Sequence, residues 1–152
     1  MNAHLSTPLA DLLPHKPPMV LLDGIQRYDS DSIACNSRSH LDPHNPLRQN
    51  ALLSVFAGVE YAAQAMALHA RLTADSASSV APPRKGFLAV ANKLQAHVRT
   101  LDEAQFPLTV TATRINGDQN SSLYGFTITA DDRVLLEGQL IAVMAESETD
   151  PA

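Results

Sequence analysis

Glu60 is the first residue of this chain that asks for a chemical explanation. It lies in residues 52–72, LLSVFAGVEYAAQAMALHARL, which hold no proline, a single glycine (Gly58) and no Lys or Arg within four positions of the glutamate. A buried carboxylate costs several kcal/mol unless it is paired or protonated. A carboxyl in an apolar pocket can hold a proton near neutral pH and serve as a general acid. The plainer alternative is a half-exposed carboxylate favoured by the helix dipole. Gln64 follows four residues later and shares a helical face with Glu60. It either orients the carboxyl or is satisfied by backbone in the core, which is commoner for a lone glutamine.

Two histidines are candidates for the partner base. His15 stands in L-P-H-K-P-P-M and His44 in D-P-H-N-P-L, both proline-rich loops. Loops placed by a rigid scaffold carry function disproportionately, although an isolated loop histidine is more often a surface residue. His40 shares the loop of His44 and has less to recommend it. His69 falls half a turn out of phase with Glu60 and is read as structural. His97 and His4 are read as incidental. These histidines have no metal-ligand spacing. Phosphate-loop, dinucleotide, zinc-finger, nucleophile-elbow and H-E-x-x-H motifs are absent from the sequence. No cofactor or metal is expected.

The whole chain sets the limits. It has 152 residues, 45% hydrophobic and 18% charged, enough for one domain with a substantial core. A net charge of -5 without a basic cluster argues against nucleic acid. The one cysteine, Cys35, excludes an internal disulfide and suits a reducing compartment. No signal peptide or spanning segment is expected, and the protein is read as cytoplasmic.

The elements that must position these side chains follow from pattern. Residues 7–13 predict a short helix with Thr7 as N-cap and Pro8 in its first turn. Residues 15–19 run extended through their prolines. Residues 20–28 predict a strand bent near Asp23 and Gly24, and residues 32–39 a second, antiparallel one. Residues 40–50 are a loop. Residues 52–72 predict a helix so apolar on all sides that it must be buried. Residues 73–83 predict a mobile surface connection. Strands are expected over 86–100, with a bulge within 89–93, and over 106–116, 121–130 and 133–145. Turns fall at 117–120 and at Asp131–Asp132. The fold class is therefore α+β: a long central helix wrapped by an antiparallel sheet. A single domain spans 1–146, with a disordered tail at 147–152. One helix cannot cover such a sheet, so a dimer is expected.

Three segments, in order along most of the chain, carry a resemblance to a known family. L-L-P-H-K-P-P-M-V-L-L-D (residues 12–23), G-V-E-Y-A-A-Q-A (58–65) and F-L-A-V-A-N-K-L-Q-A-H-V (87–98) resemble the FabZ-type 3-hydroxyacyl-(acyl carrier protein) dehydratases. Within that family the L-P-H…P-M start and the G-x-E-Y-x-A-Q helix resemble the ApeP-like branch, linked to aryl polyene biosynthesis.

The resemblance implies a hot-dog fold and a homodimer or a heterodimer with a related dehydratase. It implies dehydration of a 3-hydroxyacyl thioester on acyl carrier protein to the trans-2-enoyl thioester. A histidine takes the C2 proton, and the Glu60 carboxyl protonates the departing hydroxyl. The Gly58 N–H would hold the thioester oxygen, and Gln64 matches the helix glutamine at the substrate. The family's H-F-P-G loop before the helix is missing. His44, in H-N-P-L, is its nearest match and lies two residues further from the glutamate. The glycine spacing before Glu60 is shortened by three, and Pro17 replaces the gating tyrosine. His15, whose motif is intact, is slightly favoured as the base. The rival readings are a non-catalytic acyl-binding or partner subunit and an acyl thioesterase. Lys16, Arg84, Lys85, Lys93 and Arg99 are candidates for docking a carrier protein, although scattered charges are usually a solvated face.

Overall fold

Ser54 sets where the central helix begins. Its side chain accepts the Phe56 N–H at 3.1 Å and caps a 3-10 turn, Val55–Ala57, that runs into α1, Gly58–Ala77. This is a computed structural model, and it describes residues 8–13, 15–77, 87–118 and 121–144. The helix was expected from residue 52. Leu52 instead closes a tight turn with Gln49, in which both central residues, Asn50 and Ala51, have positive φ. At the other end α1 runs on through Thr73, where a surface connection was expected. Nothing in T-A-D-S-A breaks a helix, and the Thr73 hydroxyl donates back to the His69 carbonyl at 2.8 Å. The rest of that expected connection, 78–83, lies outside the described residues, as do Thr7 and the tail 147–152.

Six antiparallel strands form one sheet in the order β1-β2-β4-β5-β6-β3. They are β1 (Gly24–Tyr28), β2 (Ser32–Ser37), β3 (Phe87–Ala96), β4 (Leu108–Gly117), β5 (Ser121–Ala130) and β6 (Arg133–Met144). The hairpin between β5 and β6 turns on Asp131 and Asp132, both at positive φ, the geometry a two-residue hairpin needs. In β3 the register slips between Asn92 and Gln95 around Lys93, at φ 54°. The bend predicted at Asp23 and Gly24 lies further on, between Ile25 and Arg27.

The sheet packs one face on α1. Leu108, Val110 and Ala112 of β4 are buried there, while the threonines between them face outward. Opposite them, α1 buries Tyr61, Ala62, Ala65, Met66, Leu68 and Leu72. Each large side chain so buried contributes about 1.5–3 kcal/mol. The helix is not enclosed all round, however. Glu60, Ala63, Ala67 and Ala70 form a half-buried stripe on the side away from the sheet.

Two early predictions fail for one reason. The first strand starts at Gly24 rather than residue 20, and the second ends at Ser37 rather than 39. Leu21 and Leu22 enter the core, but the Leu21 N–H and carbonyl bond to side chains and not to the backbone of a neighbouring strand. The short helix at the start is a 3-10 turn, Leu9–Asp11, and the Pro17–Pro18 bond is cis. No helix among the described residues is long and apolar enough to cross a membrane.

Candidate active site

The segment ahead of β1 lies along the start of α1 and brings His15 to Glu60. His15 Nε2 is 3.2 Å from Glu60 Oε2, with the two side chains 24% and 36% exposed. The contact joins a partly shielded base to a carboxyl that solvent, or a ligand, can still reach. His15 Nδ1 is buried and has no hydrogen-bond partner among the described residues. Beside Glu60 lies an open cleft of about 620 Å³, walled by Leu47, Leu52, Phe56 and Val59, with Arg99 at its rim. Leu52 and Phe56 are each more than half exposed. A second hollow of about 450 Å³ crosses the outer face of the sheet; Glu60 lines only the first cleft, and His15 lines neither.

The backbone that carries His15 is fixed from several sides. Gln64 is fully buried; its Oε1 accepts the Leu21 N–H at 2.9 Å and its Nε2 donates to the Met19 carbonyl at 2.6 Å. The Leu21 carbonyl accepts the hydroxyls of Ser37 and Ser39, each at 2.7 Å. With its proton so committed, Ser39 Oγ accepts the Tyr61 hydroxyl at 2.7 Å, and the Tyr61 oxygen accepts Asn45 Nδ2 at 3.0 Å. Burial pushes the Tyr61 phenol above its ordinary pKa, keeping it a donor.

The loop before α1 is held by Arg48. Its guanidinium meets Asp102 at 2.7 Å, the His40 carbonyl at 2.6 Å and the Asp42 carbonyl at 3.0 Å. Burial alone would raise the Asp102 carboxyl, but the Leu53 N–H and Arg48 outweigh it and lower its pKa.

Comparison with known proteins decides the family. The model of the ApeP-like family, described as ApeP dehydratase, matches residues 7–151. The chain belongs to the ApeP-like dehydratases. Among solved structures it is similar to the dehydratase heterocomplex ApeI:P from Xenorhabdus doucetiae, with TM-score 0.79, 19% identity and 91% of each chain covered. It is also similar to an HP0420 homologue from Helicobacter felis, with TM-score 0.63, 13% identity and coverage of 96% of this chain and 92% of that one. Thioesterase HI1161 from Haemophilus influenzae gives TM-score 0.56 and 17% identity, covering 99% of this chain and 92% of that one. These likenesses show the hot-dog fold. No curated protein matches the chain.

The other candidates of this ApeP-like dehydratase stand apart from the pair. The His44 side chain is 91% exposed, with Nδ1 3.7 Å from Asp42. The Gly58 N–H points at the carbonyls of Val55 and Phe56, so it is engaged inside the protein and not offered to a ligand. What Gly58 provides is closeness: a Cβ there would lie 2.7 Å from Ile128 Cδ1 and 3.0 Å from Leu136 Cδ2. Gln64 is bound by backbone in the core, the commoner of its two readings, and the backbone it grips is the segment that carries His15.

His40 and His69 are buried. His40 Nε2 is 3.1 Å from the Ala104 carbonyl. His69 Nε2 donates to the Asp29 carbonyl at 2.9 Å, which leaves Nδ1 to accept from the Tyr124 hydroxyl at 2.6 Å. Burial lowers the pKa of both histidines and pushes Tyr124 up to about 12. His97 pairs with Glu137 at 2.9 Å on the exposed side of the sheet. Lys16, Lys93 and Arg99 are exposed, whereas Arg84 and Lys85 lie outside the described residues, as does His4. No three His, Cys, Asp or Glu converge as a metal site among the described residues.

The sequence reading missed Ser39, Asn45, Tyr61 and Arg48. Only Tyr61 had a signal, its place directly after Glu60.

Proposed function

We propose that this dehydratase converts a 3-hydroxyacyl thioester on acyl carrier protein to the trans-2-enoyl thioester, with His15 as base and Glu60 as acid. The observation that supports this is the 3.2 Å contact of His15 Nε2 with Glu60 Oε2 beside an open apolar cleft. The reaction needs a proton on the Glu60 carboxyl and a free lone pair on His15 Nε2. His15 Nε2 takes the C2 proton, the C2–H electrons become the new double bond, and the C3–O bond breaks. The hydroxyl leaves as water with the Glu60 proton. Syn elimination asks for both groups on one side of the substrate; Glu60 lines the cleft and His15 meets its carboxyl from the adjoining segment.

The test is enoyl absorbance with carrier-bound and small 3-hydroxyacyl thioesters, for wild type, His15→Ala, His44→Ala and Glu60→Gln. Loss of turnover in His15→Ala and Glu60→Gln alone is the expected result. Wild-type turnover in Glu60→Gln would sink the assignment.

The working form we propose is a dimer of two copies, or of one copy with a related dehydratase, in the cytoplasm. The half-buried stripe on α1 and the ApeI:P heterocomplex support it. Light scattering of the protein alone and with a related subunit separates the two forms. A chain that is silent alone and active with that subunit would make partner assembly a condition of catalysis.

A further inference from the structure

Gln64 lies one turn beyond Glu60 on α1, yet its contacts are with the chain that carries the other half of the pair. By bonding the Met19 carbonyl and the Leu21 N–H, its amide reproduces the donor and acceptor pattern of a neighbouring strand. The Leu21 peptide is thereby held at both ends, by Gln64 at its N–H and by Ser37 and Ser39 at its carbonyl. Ser39 in turn is bonded to Tyr61, the neighbour of Glu60. The helix that supplies the carboxyl therefore also dictates the path of the segment that supplies the imidazole. Beyond its packing, the His15 ring has little polar contact to place it. Its Nε2 meets Glu60, and its Nδ1 has no partner among the described residues. The ring's position must come from the backbone of its own segment.

We propose that Gln64 is a positioning residue: through its bonds to Met19 and Leu21 it keeps His15 Nε2 within hydrogen-bond distance of Glu60. Its effect on turnover rests on the reading of His15 and Glu60 as the catalytic pair; its effect on geometry does not. Gln64 is fully buried with both ends of its amide bonded to backbone, so its loss is expected to act on kcat and to leave KM in place.

Two variants test this. Gln64→Leu removes both bonds. Gln64→Glu keeps an acceptor for the Leu21 N–H, but offers a donor to the Met19 carbonyl only when its carboxyl is protonated. In Gln64→Leu, kcat is expected to fall about tenfold or more with KM nearly unchanged. In Gln64→Glu, kcat relative to wild type rises as pH is lowered, whereas the leucine variant shows no such recovery. Nuclear Overhauser contacts between the His15 ring and the Glu60 side chain are lost in Gln64→Leu and return in Gln64→Glu at low pH. A folded Gln64→Leu protein with wild-type kcat and intact ring contacts overturns the proposal, as does a rise in KM with kcat unchanged. If Gln64→Leu fails to fold, the pH response of Gln64→Glu decides alone. Full turnover in His15→Ala would sink the catalytic reading, while the ring contacts would still decide the role of Gln64.

Discussion

His15 Nε2 and Glu60 Oε2 meet at 3.2 Å although 45 residues separate them in the chain. Nothing local makes this contact; the segment before β1 has to be laid across the start of α1. Both side chains are partly exposed, so replacing either leaves the core intact. Glu60→Gln and His15→Ala are each expected to lower kcat by ~10²–10⁴-fold, the range for loss of a general acid or base. Circular dichroism should show an unchanged fold, which separates lost chemistry from lost structure.

His44 supplies the matching control. Its ring is almost wholly exposed and faces Asp42. His44→Ala should turn over substrate like wild type, and a collapse of kcat in that variant would move the base to this loop.

Arg48 bonds Asp102 once and the carbonyls of His40, Asp42 and Ala51 in the loop before α1, with only 11% of its side chain exposed. Arg48→Met leaves the Asp102 carboxylate and the His40 carbonyl without that partner. We expect a loss of about 2–3 kcal/mol, seen in thermal melts as a Tm lower by about 5–10 °C. Asp102 accepts the Leu53 N–H on its other oxygen, and an asparagine has only one oxygen for these two donors, so Asp102→Asn should lose stability as well.

Gly58→Ala sets two effects against each other. Helix propensity favours alanine by about 1 kcal/mol, and overpacking costs about 1–3 kcal/mol. The atoms in the way are the side-chain tips Ile128 Cδ1 and Leu136 Cδ2, both on fully buried residues, so relief of the clash requires repacking of the core around them. The clash should win, and urea titration should show net destabilisation together with reduced turnover as the start of α1 lifts off the sheet.

The buried histidines predict how stability depends on pH. His40 and His69 are held below their ordinary 6.5, so the unfolded chain takes up protons first as pH falls. Their stabilising contribution is complete above about pH 6.5 and is lost on acidification through the interval between that value and their folded-state pKa. Asp102 is held below 3.8, so its contribution is lost only in stronger acid. Urea midpoints should therefore fall between pH 7.5 and 5.5, and His69→Gln should flatten that slope. A flat wild-type profile would contradict it.

The site was legible where chemistry is written into a residue type and illegible where it depends on long-range contact. Glu60 stood out because an isolated carboxylate in an alanine-rich helix needs a reason, and His15 because its proline-flanked motif was intact. The hairpin at Asp131 and Asp132 was legible because few residues tolerate positive φ. Gln64 was legible only as a glutamine satisfied by backbone in the core: its partners lie 43 and 45 residues away, and a glutamine does not announce which backbone it will bind. The same long-range bonds displaced the start of β1: Leu21 looks like strand sequence, but its peptide is taken by side chains. The start of α1 was placed early because L-L-S-V-F has the composition of a helix, while its hydrogen bonds go to the capping Ser54 and the Gln49–Leu52 turn.

The contact between His15 and Glu60 also depends on other contacts being made first. The carboxyl can be met only after α1 has formed and Leu21 has found Gln64, so the pair closes after the elements that it joins. A refolding chain should recover its helical and strand signals before it recovers turnover, so activity in such a protein reports on completed assembly and not on secondary structure alone.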